Sequence, residues 1–212
     1  MWNRIRYTLW APFYDPFVAA VGFDALRRQS IDHLRLRAGD RVLISGAGTG
    51  QDLPHLPAGV EVTAIDVTPA MLARLKRRAS DLGLTVDARV MDARRLEFED
   101  ARFDAIILHL ILAVMPEPDR GLAEAIRVLR PGGRIAVFDK FLGDEQEPSI
   151  GRRLLNLMMK PLCTDMNRRF GPLVRPTGLI VERDEPAAFG GMYRLITLRK
   201  PDQPDHPGDR RS

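Results

Sequence analysis

The stretch VLISGAGTGQD, residues 42–52, followed by VEVTAID, residues 60–66, decides the fold. A short apolar run breaks at a turn carrying Gly46, Gly48 and Gly50, and a second such run ends on Asp66. Glycines just past a strand let a ligand approach the backbone closely and let the next segment pack tightly. A carboxylate closing the next strand, 20 residues beyond Gly46, is placed to accept hydrogens from both ribose hydroxyls. The G-A-G-T-G spacing departs from the G-x-G-x-x-G of dinucleotide sites, whose second half needs a pyrophosphate. The pattern therefore fits a nucleoside without phosphates better than a nicotinamide cofactor. In the blander alternative the glycines form only a tight turn and Asp66 only caps the helix after Pro69.

Working outward, residues 23–36 read as a helix, RVLIS (41–45) as a buried strand and the stretch after Pro69 as a helix started by that proline. The alternation continues with TVDARVMD (85–92) and FDAIILHLIL (103–112) as strands, PDRGLAEAIRVLR (118–130) as a helix and GRIAVFDKF (133–141) as a strand. Such βα alternation predicts an α/β, Rossmann-like fold, a mostly parallel sheet with helices on both faces. GLIVERDE (178–185) and MYRLITLRK (192–200), separated by Phe189, Gly190 and Gly191, predict an antiparallel finish. The expected organisation is a helical lid or membrane-contact segment over 1–37, one domain over 38–200 and a polar, Pro-rich, disordered tail over 201–212.

A chain of 212 residues with 45% hydrophobic content supports one well-covered core rather than two. Its single cysteine, Cys163, excludes an internal disulfide framework and a multi-cysteine metal site, and no metal is expected. The longest apolar stretch, 105–115, is interrupted by His109 and ends at Pro116, well short of the roughly 20 residues needed to span a bilayer. No signal peptide is legible, so a cytoplasmic location is expected. The net charge of +4 is modest, but Arg152, Arg153, Lys160, Arg168, Arg169 and Arg175 cluster against only Asp165 within 151–176. A basic window of that kind either attracts phosphate or is simply solvated.

Four stretches together resemble the class I S-adenosylmethionine (SAM)-dependent methyltransferases over roughly 38–200: VLISGAGTG, VTAIDVTPAML, VMDARRLEF and LRPGGRIAVFDK. The resemblance implies SAM as cofactor. Gly46, Ala47, Gly48 and Gly50 would border its methionine part, Asp66 would hold the ribose with Val67 beside it, and Met71 would flank the adenine. Asp92 would accept a hydrogen bond from the adenine amino group, with Ala93 adjacent. The chain departs from the pattern at Ile44, where many members carry an acidic residue. Gln51 and Asp52 are candidates for polar contacts to the amino-acid end of SAM, Asp52 being equally readable as a helix cap.

Methyl transfer from a sulfonium is a direct displacement that asks the protein mainly for alignment in a water-poor pocket. In open α/β sheets that pocket lies beyond the carboxyl ends of the strands, which brings His109 beside both cofactor and acceptor, with Asp139 and Lys140 nearby. His109 is a candidate base, or a histidine hydrogen-bonded within its apolar run. Asp139 is a candidate for steering or deprotonating an amine, or for pairing with Lys140. Near the N-terminus Trp2, Ile5, Leu9, Trp10, Phe13 and Phe17 recur beside Arg4 and Arg6, which suits either a membrane-interface contact or a lid. WAPFYD (10–15) resembles the segment preceding the core in bacterial phosphatidylethanolamine N-methyltransferases and ubiquinone/menaquinone methyltransferases. That likeness gives Tyr14 a role in closing the pocket, where its ring would favour the sulfonium. LHLILAVMPEP, TDMNRRFGPL and FGGMYRLITLRK resemble the phospholipid group more than the quinone group. The expected acceptor is a phospholipid headgroup amine at an anionic, inner membrane surface, the alternative a quinone or other small molecule. No nucleic-acid partner is expected, since no RNA-binding domain or base-stacking motif is present.

Overall fold

Val42 and Ile44 turn to one side of a sheet and Leu43 to the other, and that alternation organises two cores. The structure, a computed structural model, describes residues 22–142 and 168–202. In chain order these form α1 (Asp24–Asp32), β1 (Arg41–Ser45), a 3-10 turn (Leu53–His55), β2 (Glu61–Asp66), α2 (Pro69–Asp81), β3 (Val86–Val90) and β4 (Phe103–His109). There follow α3 (Pro118–Val128), β5 (Leu129–Lys140), the short α4 (Gly171–Val174), a second 3-10 turn (Arg175–Thr177), β6 (Ile180–Ala188) and β7 (Tyr193–Arg199). The strands make one seven-stranded sheet in the order β3-β2-β1-β4-β5-β7-β6.

β1 to β5 run parallel, and β7 is antiparallel to both β5 and β6. Ile31 and Leu34, following the stripe of α1, and Leu72, Leu75 and Ala79 of α2 cover one face of the sheet. Leu122, Ala125 and Val128 of α3, with Phe170 and Val174 near α4, cover the other. Each central strand is buried on both sides, which explains its nearly unbroken apolar run.

Several boundaries differ from expectation: β4 ends at His109 rather than 112, β3 is shorter than 85–92, and β6 runs on from 185 to Ala188. The first helix stops at Asp32 rather than 36, because the amides of Leu34 and Arg35 bond back only three residues, to Ile31 and Asp32. Arg35 then turns left-handed at φ 55°, and Leu34 is buried. β5 begins at Leu129, inside the stretch read as helix. Leu129 pairs with Phe103, and the register shifts before Arg134 meets Ala105, so Pro131–Gly132–Gly133 is absorbed as an irregularity in the strand. The expected Rossmann-like architecture and antiparallel finish are otherwise observed. Of the lid or membrane-contact segment expected over 1–37, residues 1–21 lie outside the described residues, as does the tail beyond 202, while α1 within that segment packs on the sheet through Ile31.

Candidate active site

Because β1, β2, β3, β4 and β5 are parallel, their carboxyl ends share one edge of the sheet. That edge receives the loop 46–52, Asp66 to Met71, Asp92 and Ala93, His109 to Met115, and Asp139 with Lys140. Topology thus gathers the site residues foreseen within the described part of the chain.

The loop is anchored to β2 at its entry: the amides of Gly46 and Ala47 both donate to the carbonyl of Ile65, at 2.9 and 2.8 Å. Gly46 has φ 74°, and a Cβ there would collide with the side chain of Ile111. Gly48 has φ 53° with open space where its Cβ would be. Backbone conformation, rather than crowding, calls for glycine at that position. The amide of Gly48 donates to Asp66 Oδ2 at 3.0 Å, and the amide of Thr68 to Oδ1 at 2.8 Å. Burial pushes the Asp66 carboxyl above its ordinary range, opposed by these two amides and by the Thr68 side chain. An ionised carboxylate offers about four lone-pair sites. The two amides and the Thr68 side chain take three of them, so acceptor capacity remains for one further hydroxyl donor, and for a second once the Thr68 hydroxyl turns away.

Farther along the edge, Met71 and Ala93 are buried and Val67 is half-buried. The carboxylate of Asp92 receives the guanidinium of Arg94 on both oxygens, which holds it below its usual range against the effect of burial. Arg94 also bonds Glu117 at 2.6 Å, so the ends of β3 and the start of α3 are tied together. Ile44, standing where many family members carry an acidic residue, is packed into the core beside α1 and α2.

Asp52 is no helix cap: its side chain makes no capping bond at the 3-10 turn. Instead Oδ1 accepts from Arg27 Nη1 at 2.6 Å and lies 2.7 Å from His109 Nδ1, while His109 Nε2 lies 3.0 Å from Ser30 Oγ. Burial would raise the Asp52 carboxyl, yet the charges and hydrogen bonds of Arg27 and His109 outweigh it and hold the group far below the ordinary range. The His109 ring is fully enclosed, with both nitrogens engaged. A proton from an acceptor would reach it only if Ser30 first moved away.

Asp139 is likewise buried, and its oxygens accept from the amides of Ala113 at 2.9 Å and Lys140 at 2.8 Å. Burial pushes its carboxyl up, and pushes the Lys140 ammonium down. Arg168, part of the basic window read as either phosphate-attracting or solvated, instead turns inward and donates to the carbonyls of Leu112 and Met115. Asp139 and Arg168 therefore hold the loop between β4 and α3 from two sides. Tyr14 and most of the basic window lie outside the described residues.

Sequence reading did not single out Arg27, Ser30 or Ile111. The first two share the buried stripe of α1 with Ile31. Polar residues at core spacing were the available signal, since a buried arginine demands a carboxylate partner.

Residues 43–137 match a methyltransferase domain family. The phosphatidylethanolamine N-methyltransferase of Cereibacter sphaeroides is 38% identical over 92% of this chain and 95% of its own length. The chain belongs to the class I SAM-dependent methyltransferases. A demethylmenaquinone methyltransferase of Beutenbergia cavernae is 41% identical to this methyltransferase over 58% of the chain, which spans only half of that relative's length. Among solved structures, geranyl diphosphate methyltransferase in complex with SAM superposes with a TM-score of 0.70 at 20% identity, covering 84% of this methyltransferase and 85% of that chain. The [4+2]-cyclase SpnF gives 0.71 at 24% identity, covering 84% and 82%. Both likenesses concern the fold.

Proposed function

We propose that this methyltransferase N-methylates the headgroup amine of a phospholipid such as phosphatidylethanolamine, working from the membrane surface. The observation that carries the reading is the near full-length similarity to the Cereibacter enzyme, against the partial match to the quinone enzyme. Among the described residues no helix is long and apolar enough to cross a membrane, so a lipid acceptor would be met by peripheral contact.

The edge residues fit a nucleoside cofactor. In this reading Asp66 accepts from the ribose, the open backbone at Gly48 borders the methionine part, and Met71, Ala93 and Asp92 are assigned to the adenine. When bound, SAM supplies an electrophilic methyl on a sulfonium. The protein's work is alignment and exclusion of water. Ile111 covers the loop entry, and Asp139 and Arg168 fix the segment that carries it. An amine must be neutral to attack, and the buried Asp139, its oxygens held by two amides, acts in this reading through the loop it positions. Tyr14 is assigned the closing of the pocket over the sulfonium.

The test offers purified protein and labelled SAM to phosphatidylethanolamine vesicles, a demethylquinone and total RNA in parallel. The expected product is N-methylated lipid. Label in the quinone with none in lipid would transfer the enzyme to the quinone reading.

A further inference from the structure

Residues 109 and 111 grip the glycine-rich loop at both of its ends. At the entry, Ile111 lies against Gly46, leaving no room for a Cβ. At the exit, His109 meets Asp52. Between them Leu110 takes φ 56°, a left-handed conformation that a leucine adopts only under constraint. Its amide donates to the carbonyl of Phe138 at 2.7 Å, which seats the grip on β5.

The polar half of the grip is a four-member network: Arg27 and Ser30 of α1, Asp52 of the loop and His109 of β4. Their exposures are 4%, 2%, 3% and 5%. Serine, histidine and aspartate in this order resemble a nucleophilic triad, but a serine so enclosed meets no substrate. The bonding pattern assigns one of the ring's protons: the ionised Asp52 can only accept, so Nδ1 carries hydrogen and donates to it, while Nε2 bonds the Ser30 hydroxyl, a group able to donate or accept. Arg27 supplies the positive charge that a buried carboxylate requires. Each member fixes the orientation of the next, and the chain of bonds ends on the loop.

We propose that His109 is a positioning residue for the cofactor loop, supported by Ser30 and Arg27, so that the seating of α1 on the sheet sets the loop's affinity for SAM. The proposal rests on the reading that loop 46–52 and Asp66 hold SAM. It makes the loop's shape depend on three anchors: β2 through Ile65 and Asp66, β4 through His109, and α1 through Arg27 and Ser30. A merely stabilising network would lower the melting temperature and leave the affinity of folded protein unchanged.

Calorimetric titration of SAM into the full chain, at a temperature where each variant is folded by circular dichroism, separates these cases. Asp66→Ala reports on the site itself. Ser30→Ala removes the hydrogen-bond partner of His109 Nε2 and should weaken SAM binding about threefold. His109→Asn retains an amide able to donate to Asp52 and should lie within roughly fivefold of wild type, whereas His109→Leu should weaken binding by tenfold or more, about the effect of losing a hydrogen bond to a charged group. Wild-type affinity in His109→Leu, with Asp66→Ala weakened, overturns the proposal. Equal losses in the Asn and Leu variants overturn it too, because ring packing would then be the cause. If His109→Leu does not fold, wild-type affinity in both Ser30→Ala and His109→Asn overturns it equally. An unchanged Asp66→Ala instead removes the cofactor reading.

Discussion

Asp66 supports the glycine-rich loop from the end of β2 and Asp52 closes it, and their surroundings push the two carboxylates in opposite directions. Asp66 is raised by burial, so its ionised form, the one that accepts two hydroxyl hydrogens, is lost on acidification sooner than for an exposed aspartate. SAM affinity should therefore fall as pH drops through that raised value, and Asp66→Asn should abolish this dependence while weakening binding by roughly 1.5 to 3 kcal/mol. Titration calorimetry across pH checks both, and an equally pH-dependent Asn variant would assign the titration elsewhere. Asp52 is held low, so its contribution to stability is complete above the unfolded value of about 3.9 and is lost as pH falls below it. Asp52→Asn should cost about 3 to 5 kcal/mol at neutral pH, because Arg27 is left buried without its carboxylate. It should also flatten the acid limb of the stability curve by one proton, about 1.4 kcal/mol per pH unit. Urea unfolding at pH 3 and pH 7 measures this, and parallel curves for the two proteins would refute it. Asp66 was legible because its place after a strand and its spacing from the glycines are local in sequence. The partners of Asp52 were not, since Arg27 and Ser30 meet it only once α1 is laid on the sheet.

At the scale of elements, the segment between β4 and α3 shows how a loop becomes part of a site. It leaves β4 through left-handed Leu110 and enters α3 through left-handed Glu117 at φ 53°, and neither residue is a glycine that would adopt such angles freely. Asp139 holds its middle by the amide of Ala113, and Arg168 by the carbonyls of Leu112 and Met115. Arg168→Met should remove both carbonyl contacts and lower stability by about 1.5 to 3 kcal/mol. It should also reduce turnover per folded molecule by roughly tenfold or more, with SAM affinity less affected, because misplacement of the acceptor side costs alignment. Arg168→Lys should recover part of this, since one nitrogen, Nη1, makes both carbonyl contacts and an ammonium can donate twice. Normal turnover in folded Arg168→Met would confine the residue to stability. The elements flanking this loop were legible from apolar periodicity. The loop's own path was not, because it is set by a carboxylate and a guanidinium from distant parts of the chain.

For the whole molecule, βα alternation made the parallel sheet legible, and the parallel sheet alone places five strand ends along one edge. The insertion of β7 between β5 and β6 is a tertiary choice, visible afterwards in burial: β7 is buried through Leu195 to Leu198, whereas β6 is largely exposed. The contacts of Arg168 bear on which cations can report on a membrane. Arg168 is committed to the fold, so reversing its charge would damage the protein whether or not lipid is bound. Arg152, Arg153 and Lys160, from the same basic window of the sequence, are the positions to reverse instead. If this basic window meets anionic headgroups, converting all three to Glu should strongly reduce binding to vesicles containing phosphatidylglycerol, each original cation contributing on the order of 1 kcal/mol near the surface. Raising salt should weaken wild-type binding, because screening at physiological ionic strength acts over about 8 Å. Deleting residues 1–9, which carry Trp2, Ile5 and Leu9, should weaken binding even at low salt, since buried apolar area is insensitive to screening. Vesicle sedimentation measures all three arms, and wild-type protein that stays in the supernatant at every anionic fraction would remove the membrane surface from the proposed function.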